Sequence, residues 1–193
     1  MTGQKKRKHW TVALLEPNTL RTTAGYVRSL FERTLNLKGV NSLEGIYNYL
    51  PVDESLSSSG QPSVQQFEAI QKAGFTQVIN LAPHDVENSI ADEQSVVEQL
   101  GMTYSHIPVD FKKPTEEDYR QFTELMNAAR ASETQLWVHC AANMRVSAFL
   151  YRYRLEQGLE DEEGARARLH RIWTPFGVWE RFVQRAVAKV TEE

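Results

Sequence analysis

The chain has a single cysteine, so it cannot form an intramolecular disulfide. A lack of disulfides is typical of reducing compartments, and we expect a cytoplasmic location. No apolar run approaches the ~20 residues of a membrane-spanning helix, and no signal-peptide pattern follows the basic start. Charge is nearly balanced, at −3 overall from 22 basic and 25 acidic side chains. This balance attracts neither nucleic acid nor an anionic membrane, and we expect neither as a partner.

The N-terminal part of the sequence, residues 1–44, differs from the rest. It starts with a basic stretch at residues 5–8 and continues into a weak amphipathic pattern, which predicts one helix around Tyr26 and Leu30. We therefore expect an N-terminal extension, made of a basic tail and a helix, followed by one domain over residues 45–193.

Within residues 45–193, short strand-like runs alternate with helical patterns. The runs that predict strands are residues 46–52, 75–81, 102–109 and 136–139. A serine-rich segment at residues 55–59 predicts a loop. The alternation predicts an α/β fold, with a central, mostly parallel sheet of about four or five strands flanked by helices. Ligands bind such sheets beyond the carboxyl ends of the strands.

Residues 134–150 join one of these strands to a helix. Three apolar residues from Leu136 lead into small and polar positions, and helical spacing resumes at Arg145. A strand–loop–helix junction of this kind collects backbone N–H groups that bind anions. Cys140 stands at the start of the loop, five residues before Arg145. Because helix N-termini and guanidinium groups favour the reactive thiolate form of cysteine, Cys140 is a candidate nucleophile.

This junction resembles the active-site loop of the protein tyrosine and dual-specificity phosphatase superfamily. The resemblance rests on four residues of the loop and the helix after it: His139, Cys140, Arg145 and Ser147. Three further segments are similar to a bacterial branch of that superfamily, formerly a domain of unknown function. They are Ser-Gly-Gln-Pro at residues 59–62, Gly-Phe…Val-Ile-Asn-Leu at 74–81 and Tyr…Ile-Pro-Val-Asp at 104–110. The resemblance covers about residues 45–188.

This resemblance implies hydrolysis of phosphomonoesters without a metal or an organic cofactor. Cys140 would attack the phosphorus atom and form a thiophosphate intermediate, while Arg145 would hold the phosphate oxygens. Asp110 would protonate the leaving oxygen and then activate water. The substrate would be a phosphorylated protein or small molecule, and inorganic phosphate or sulfate would fit the same loop.

The other residues of the loop would bind phosphate or support the loop. Backbone N–H groups would surround the anion, His139 would orient the loop from behind, and Ser147 would hydrogen-bond the thiolate. The expected residues of this group are Ala141, Ala142, Asn143, Met144, Ser147 and His139. Asn143 replaces the loop glycine of the family, and asparagine tolerates a left-handed backbone better than most residues. Asp85 is the nearest alternative to Asp110 as the acid.

The spacing between Cys140 and Arg145 departs from the superfamily pattern, since four residues separate them instead of five. Either the loop is one residue shorter, or it keeps its length and the arginine has moved by one helical position, which turns its side chain by about 100°. A shorter loop leaves two alternatives open. One is a phosphate-binding protein without turnover, and the other is a rhodanese-like sulfurtransferase, whose cysteine loops have this smaller size.

Overall fold

The structure is a computed structural model that describes residues 17–34, 42–84 and 89–191. The α-helices are α1 (Pro17–Thr34), α2 (Val64–Lys72), α3 (Glu93–Gln99), α4 (Glu116–Ala131), α5 (Met144–Glu156), α6 (Glu162–Ile172) and α7 (Val178–Thr191). The strands are β1 (Leu50–Pro51), β2 (Leu56–Ser59), β3 (Gln77–Asn80), β4 (Thr103–His106) and β5 (Leu136–His139). A short 3-10 turn, Leu43–Gly45, precedes β1.

The strands form one sheet in the order β1-β2-β5-β3-β4. All neighbouring pairs are parallel except β1 with β2, which confirms the predicted α/β fold with a mostly parallel sheet. The central strand, β5, is paired on both edges and buried along its whole length. The loop that follows it therefore leaves the sheet between the carboxyl ends of β2 and β3, where ligands of parallel sheets bind.

Two hydrophobic cores lie on opposite faces of the sheet. Successive residues of a strand point to opposite faces, so Trp137 and Val138 enter different cores. Trp137 packs in the core that contains Phe67 of α2. Val138 belongs to the larger core, with Phe122 of α4 and Phe149 of α5. Burial on both faces holds β5, and the start of the loop after it, in a rigid setting.

The strand β2 corrects the prediction of a loop at residues 55–59. Its four residues are buried and run parallel to β5. Serine hydroxyls are tolerated there because they find hydrogen-bond partners: Ser58 Oγ donates to the Leu50 carbonyl, and Trp137 Nε1 donates to Ser59 Oγ at 3.0 Å. The prediction was wrong because apolar content alone does not reveal such partners.

The N-terminal helix α1 packs on the rest of the chain. Thr19 Oγ1 donates to the Thr174 carbonyl at 3.2 Å, and the hydroxyl of Tyr47 donates to the Thr22 carbonyl. The domain boundary at residue 44 stays a prediction, and the basic residues 5–8 lie outside the described residues. Of the helices in the described ranges, none has the length and apolar character needed to cross a membrane.

Candidate active site

The loop after β5 turns sharply into α5. Cys140 directly follows β5, and its N–H donates to the Ser59 carbonyl at 3.3 Å. Three residues later, Asn143 has a φ of 64°, in the left-handed region, as expected for a residue in place of the family's loop glycine. The helix begins at the next residue, Met144. The left-handed residue lets the chain turn within the loop, so Cys140 lies close to the N-terminus of α5.

Two residues outside the loop hold its carbonyl groups. The N–H of Gln61 donates to the Ala141 carbonyl at 3.2 Å, and Asn48 Nδ2 donates to the Ala142 carbonyl at 3.0 Å. The N–H of a trans peptide points opposite to its carbonyl, so the N–H of Ala142 points away from Gln61. Asn143 Nδ2 donates in turn to the Asn48 carbonyl at 2.8 Å. The sequence contained no signal for Asn48, because its role depends on this distant contact.

The first turn of α5 presents backbone N–H groups that no side chain caps. The side chain of the N-cap residue, Asn143, accepts no capping hydrogen bond. Its Nδ2 donates to the Asn48 carbonyl and to Ser58 Oγ. Among the described residues, the N–H groups of Met144 and Arg145 have no hydrogen-bond acceptor. Uncapped donors and the positive end of the helix dipole favour an anion at this position.

Arg145 is almost fully buried, with 7% of its surface exposed. Its Nε donates to the Val109 carbonyl at 2.9 Å, and its guanidinium carbon lies 5.2 Å from the centre of the Phe111 ring. Within the described part of the chain, Arg145 forms no ion pair with a carboxylate. A buried charge without a counter-charge is costly, and this guanidinium is therefore suited to receive an anionic ligand.

Asp110 is exposed and directly follows Val109, the residue that binds Arg145. One of its carboxylate oxygens, Oδ1, accepts the N–H of Lys112 at 2.8 Å, a local turn of the kind that aspartate favours. The bond from Arg145 to Val109 therefore brings the segment of Asp110 next to the start of α5. The alternative acid, Asp85, lies outside the described residues.

The side chain of Cys140 has no exposed surface and belongs to the larger hydrophobic core. The loop around it is also covered, since Ala141 and Ala142 are 9% and 8% exposed. A reaction at the thiol therefore requires this cover to move when the substrate binds.

A search against family models gave no match for the chain. Among solved structures, a phosphatase-like DUF442 protein from Shewanella putrefaciens CN-32 is 33% identical, with a TM-score of 0.69. The match covers 79% of this chain and 99% of that one. This chain belongs to the DUF442 family. Membership of this family confirms the resemblance to phosphatases, which was based on the loop after β5 and on three other segments of the sequence.

More distant matches extend the comparison of this DUF442 chain. One of them is the core catalytic domain of the PP-IP phosphatase SIW14 from S. cerevisiae, which is 12% identical and has a TM-score of 0.59. The match covers 93% of that chain and 76% of this one. It shows a shared fold. The beta-lactamase hydrolase-like protein of Agrobacterium fabrum is 32% identical over 97 residues, which are 49% of this chain and 22% of that relative. The chain thus spans about a fifth of the length of that curated relative.

One contact of the DUF442 chain differs from the expectation for Ser147. Its hydroxyl donates to the Met144 carbonyl at 3.1 Å, one turn earlier in α5. Within the described residues, no hydrogen bond joins it to the thiol of Cys140. Serine in a helix often bonds to a carbonyl of the preceding turn, and this local bond is the one that forms here.

Behind the loop lies a buried carboxylate that the sequence interpretation missed. Glu93, the first residue of α3, is 2% exposed. Its oxygens accept hydrogen bonds from Asn80 Nδ2 at 2.8 Å, from the Tyr104 hydroxyl at 2.9 Å and from Gln61 Nε2. In addition, Oε1 of Glu93 lies 3.1 Å from Nε2 of His139. Burial opposes ionisation, but His139 and the hydrogen bonds outweigh it and hold the pKa of Glu93 at about 2. Glu93 is therefore ionised at neutral pH.

The sequence had no signal for this network, because an acid in a first helical turn is ordinarily a partner of the helix dipole. In the part of the chain that the structure describes, no three His, Cys, Asp or Glu side chains gather in a group able to hold a metal ion. Catalysis without a metal or an organic cofactor stays a prediction.

Proposed function

We propose that this DUF442 chain is a cysteine-dependent phosphatase that hydrolyses phosphomonoesters. The observation that supports it best is Arg145, a nearly buried guanidinium with no carboxylate partner among the described residues. It lies in the first turn of the helix that follows the only cysteine of the chain. A phosphate dianion would balance its charge and accept the uncapped N–H groups of the same turn.

The proposed chemistry consists of two displacements at phosphorus. In the first, the Cys140 thiolate forms a sulfur–phosphorus bond while the bond to the leaving oxygen breaks, and Asp110 gives its proton to that oxygen. In the second, water gives a proton to Asp110 and attacks the thiophosphate, which releases inorganic phosphate and the thiolate. Arg145 and the loop N–H groups stabilise the equatorial oxygens, where charge spreads in the transition state.

The complete burial of the Cys140 side chain supports a second candidate function, phosphate binding without turnover. In that case Arg145 and the N–H groups hold the anion, and the thiol stays covered. No contact among the described residues favours the rhodanese-like sulfurtransferase.

The test is hydrolysis of p-nitrophenyl phosphate by the purified, reduced protein between about pH 5 and 8. We expect turnover by the wild type, none by Cys140→Ser, and a reduced rate with an altered pH profile for Asp110→Asn. Asp161→Asn is the matched control, because Asp161 is an exposed N-cap of α6 and asparagine caps helices equally well.

The three possible results separate the candidate functions. Turnover that survives Cys140→Ser contradicts the proposed mechanism. A wild-type protein without turnover that phosphate nonetheless stabilises against heat supports the binding protein. A protein that shows neither effect contradicts both.

A further inference from the structure

The buried carboxylate of Glu93 is connected to both neighbours of Cys140. On one side, its Oε1 lies 3.1 Å from Nε2 of His139, the residue before Cys140. On the other side, Gln61 donates through Nε2 to Glu93 Oε2 and through its backbone N–H to the carbonyl of Ala141, the residue after Cys140. Glu93 therefore supports the backbone at the two positions that flank the thiol.

The contact between Glu93 and His139 also restricts where the imidazole carries its proton. Both side chains are buried, at 2% and 0% exposure. The 3.1 Å contact between them lies outside hydrogen-bond angles, but a bare Nε2 at that distance would repel a carboxylate oxygen. His139 Nδ1 has no hydrogen-bond acceptor among the described residues. A proton on Nδ1 alone would leave a buried donor unpaired, so the geometry favours a proton on Nε2.

Other titratable groups face this pair. The Tyr104 hydroxyl donates to Glu93, and burial together with the charge of Glu93 raises the pKa of Tyr104. His106, two residues later on β4, bonds through Nε2 to the Ala82 carbonyl, and burial lowers the pKa of His106. Within the described residues, no lysine or arginine forms an ion pair with Glu93. Among the described residues, His139 is therefore the basic side chain that lies against this carboxylate.

We propose that Glu93 is a positioning residue for Cys140: its carboxylate keeps a proton on His139 Nε2 and, through Gln61, fixes the backbone after the thiol. The inference rests on the proposed function, because the position and charge around Cys140 matter where its thiol reacts.

The test is the rate at which iodoacetamide alkylates Cys140 at one fixed pH. Because Cys140 is the only cysteine, a single mass increase reports it. Glutamine at position 93 has one acceptor oxygen where the carboxylate has two, so the contacts that hold Gln61 and His139 weaken. We therefore expect the backbone on both sides of the buried thiol to loosen, and Glu93→Gln to be alkylated about tenfold faster than the wild type, the effect of roughly one hydrogen bond. The matched control is Glu98→Gln, an exposed position on the same helix, which leaves the rate unchanged.

The direction of the change in rate decides the inference. Equal rates in Glu93→Gln and the wild type, or a slower reaction of Glu93→Gln, overturn the proposal. Alkylation needs no turnover, so a wild type without phosphatase activity would contradict the proposed function and leave this test intact.

If Glu93→Gln does not fold, the wild type supplies a second measurement. In protein labelled with ¹⁵N-histidine, we expect His139 Nε2 to carry a proton at the pH of the alkylation experiment. An imidazole protonated only on Nδ1 overturns the proposal.

Discussion

Arg145 and Arg152 lie about two turns apart on the same helix, α5, and both are buried, at 7% and 5% exposure. Both guanidinium groups lie over aromatic rings. Their polar partners differ. Arg152 donates to Glu116 at 2.9 Å and to Glu156 at 3.0 Å, whereas Arg145 donates to the carbonyl of Val109.

Burial by itself therefore does not distinguish the two arginines, whereas their polar partners do. Arg152 is balanced by carboxylates and links α5 to α4 through Glu116. The charge of Arg145 has no such balance in the described part of the chain, and it lies at the helix end where N–H groups are uncapped. We therefore propose packing as the role of Arg152, in the C-terminal half of α5, and anion binding as the role of the first turn.

The largest effect that separates the two arginines is on catalysis. Arg145→Met is expected to lower kcat/KM for p-nitrophenyl phosphate by about 100- to 1000-fold, because a donor to the transition-state oxygens is lost. Arg145→Lys does not restore the rate, since a point charge lacks the planar fork of a guanidinium. Folded Arg152→Met keeps the wild-type kcat/KM. Equal losses in both methionine variants would contradict the distinction.

The second effect is on the free energy of unfolding, and here we expect the larger loss in the Arg152 variant. Arg152→Met is expected to destabilise the protein by about 3 kcal/mol, because it removes the guanidinium that pairs with the buried carboxylate of Glu156. Arg145→Met changes stability by no more than about 1 kcal/mol, because removal of an unbalanced buried charge offsets the loss of the hydrogen bond to the Val109 carbonyl. Urea denaturation followed by circular dichroism measures both values. A double variant, Arg152→Met with Glu156→Gln, should recover part of the loss, and failure to do so would argue against the ion pair.

A smaller effect concerns stabilisation by inorganic phosphate. At ten times its Kd, phosphate should raise the free energy of unfolding of the wild type by about 1.4 kcal/mol. Arg152→Met should gain as much as the wild type, whereas Arg145→Met should gain little. Thermal unfolding with phosphate, and with chloride at matched ionic strength, makes the comparison. An unchanged gain in Arg145→Met would place the anion elsewhere.

The smallest expected effect is the pH dependence of the contribution that each arginine makes to the free energy of unfolding. Hydrogen bonds and charge from Arg152 hold the pKa of Glu116 below its usual 4.5. A carboxyl with a lowered folded-state pKa stabilises the protein above about pH 4.5, and this contribution is lost as the pH falls through the folded value. The stability difference between the wild type and Arg152→Met should therefore shrink in acid. The difference for Arg145→Met should stay constant, and a parallel decrease would mean that Arg145 also has a carboxylate partner.

Local patterns were sufficient to predict the α/β alternation and the strand before Cys140, whereas the family resemblance pointed to Asn143 as a residue that tolerates a left-handed backbone. These features depend on neighbours in sequence, since apolar runs and turn residues act over a few positions. The strand β2 was missed because its serines are stabilised by the carbonyl of Leu50 on the neighbouring strand and by Trp137, which is 78 residues from Ser59. Glu93 was missed for the same reason, because its partners come from four different segments.

By itself, the sequence determined the order of the elements and the loop that presents a thiol before a helix, because both follow from short-range periodicity and turn chemistry. Only the tertiary structure decided which buried arginine has no counter-charge and which carboxylate lies behind Cys140. Those properties depend on which distant side chains meet in a medium of low polarity, where an unbalanced charge has the greatest effect.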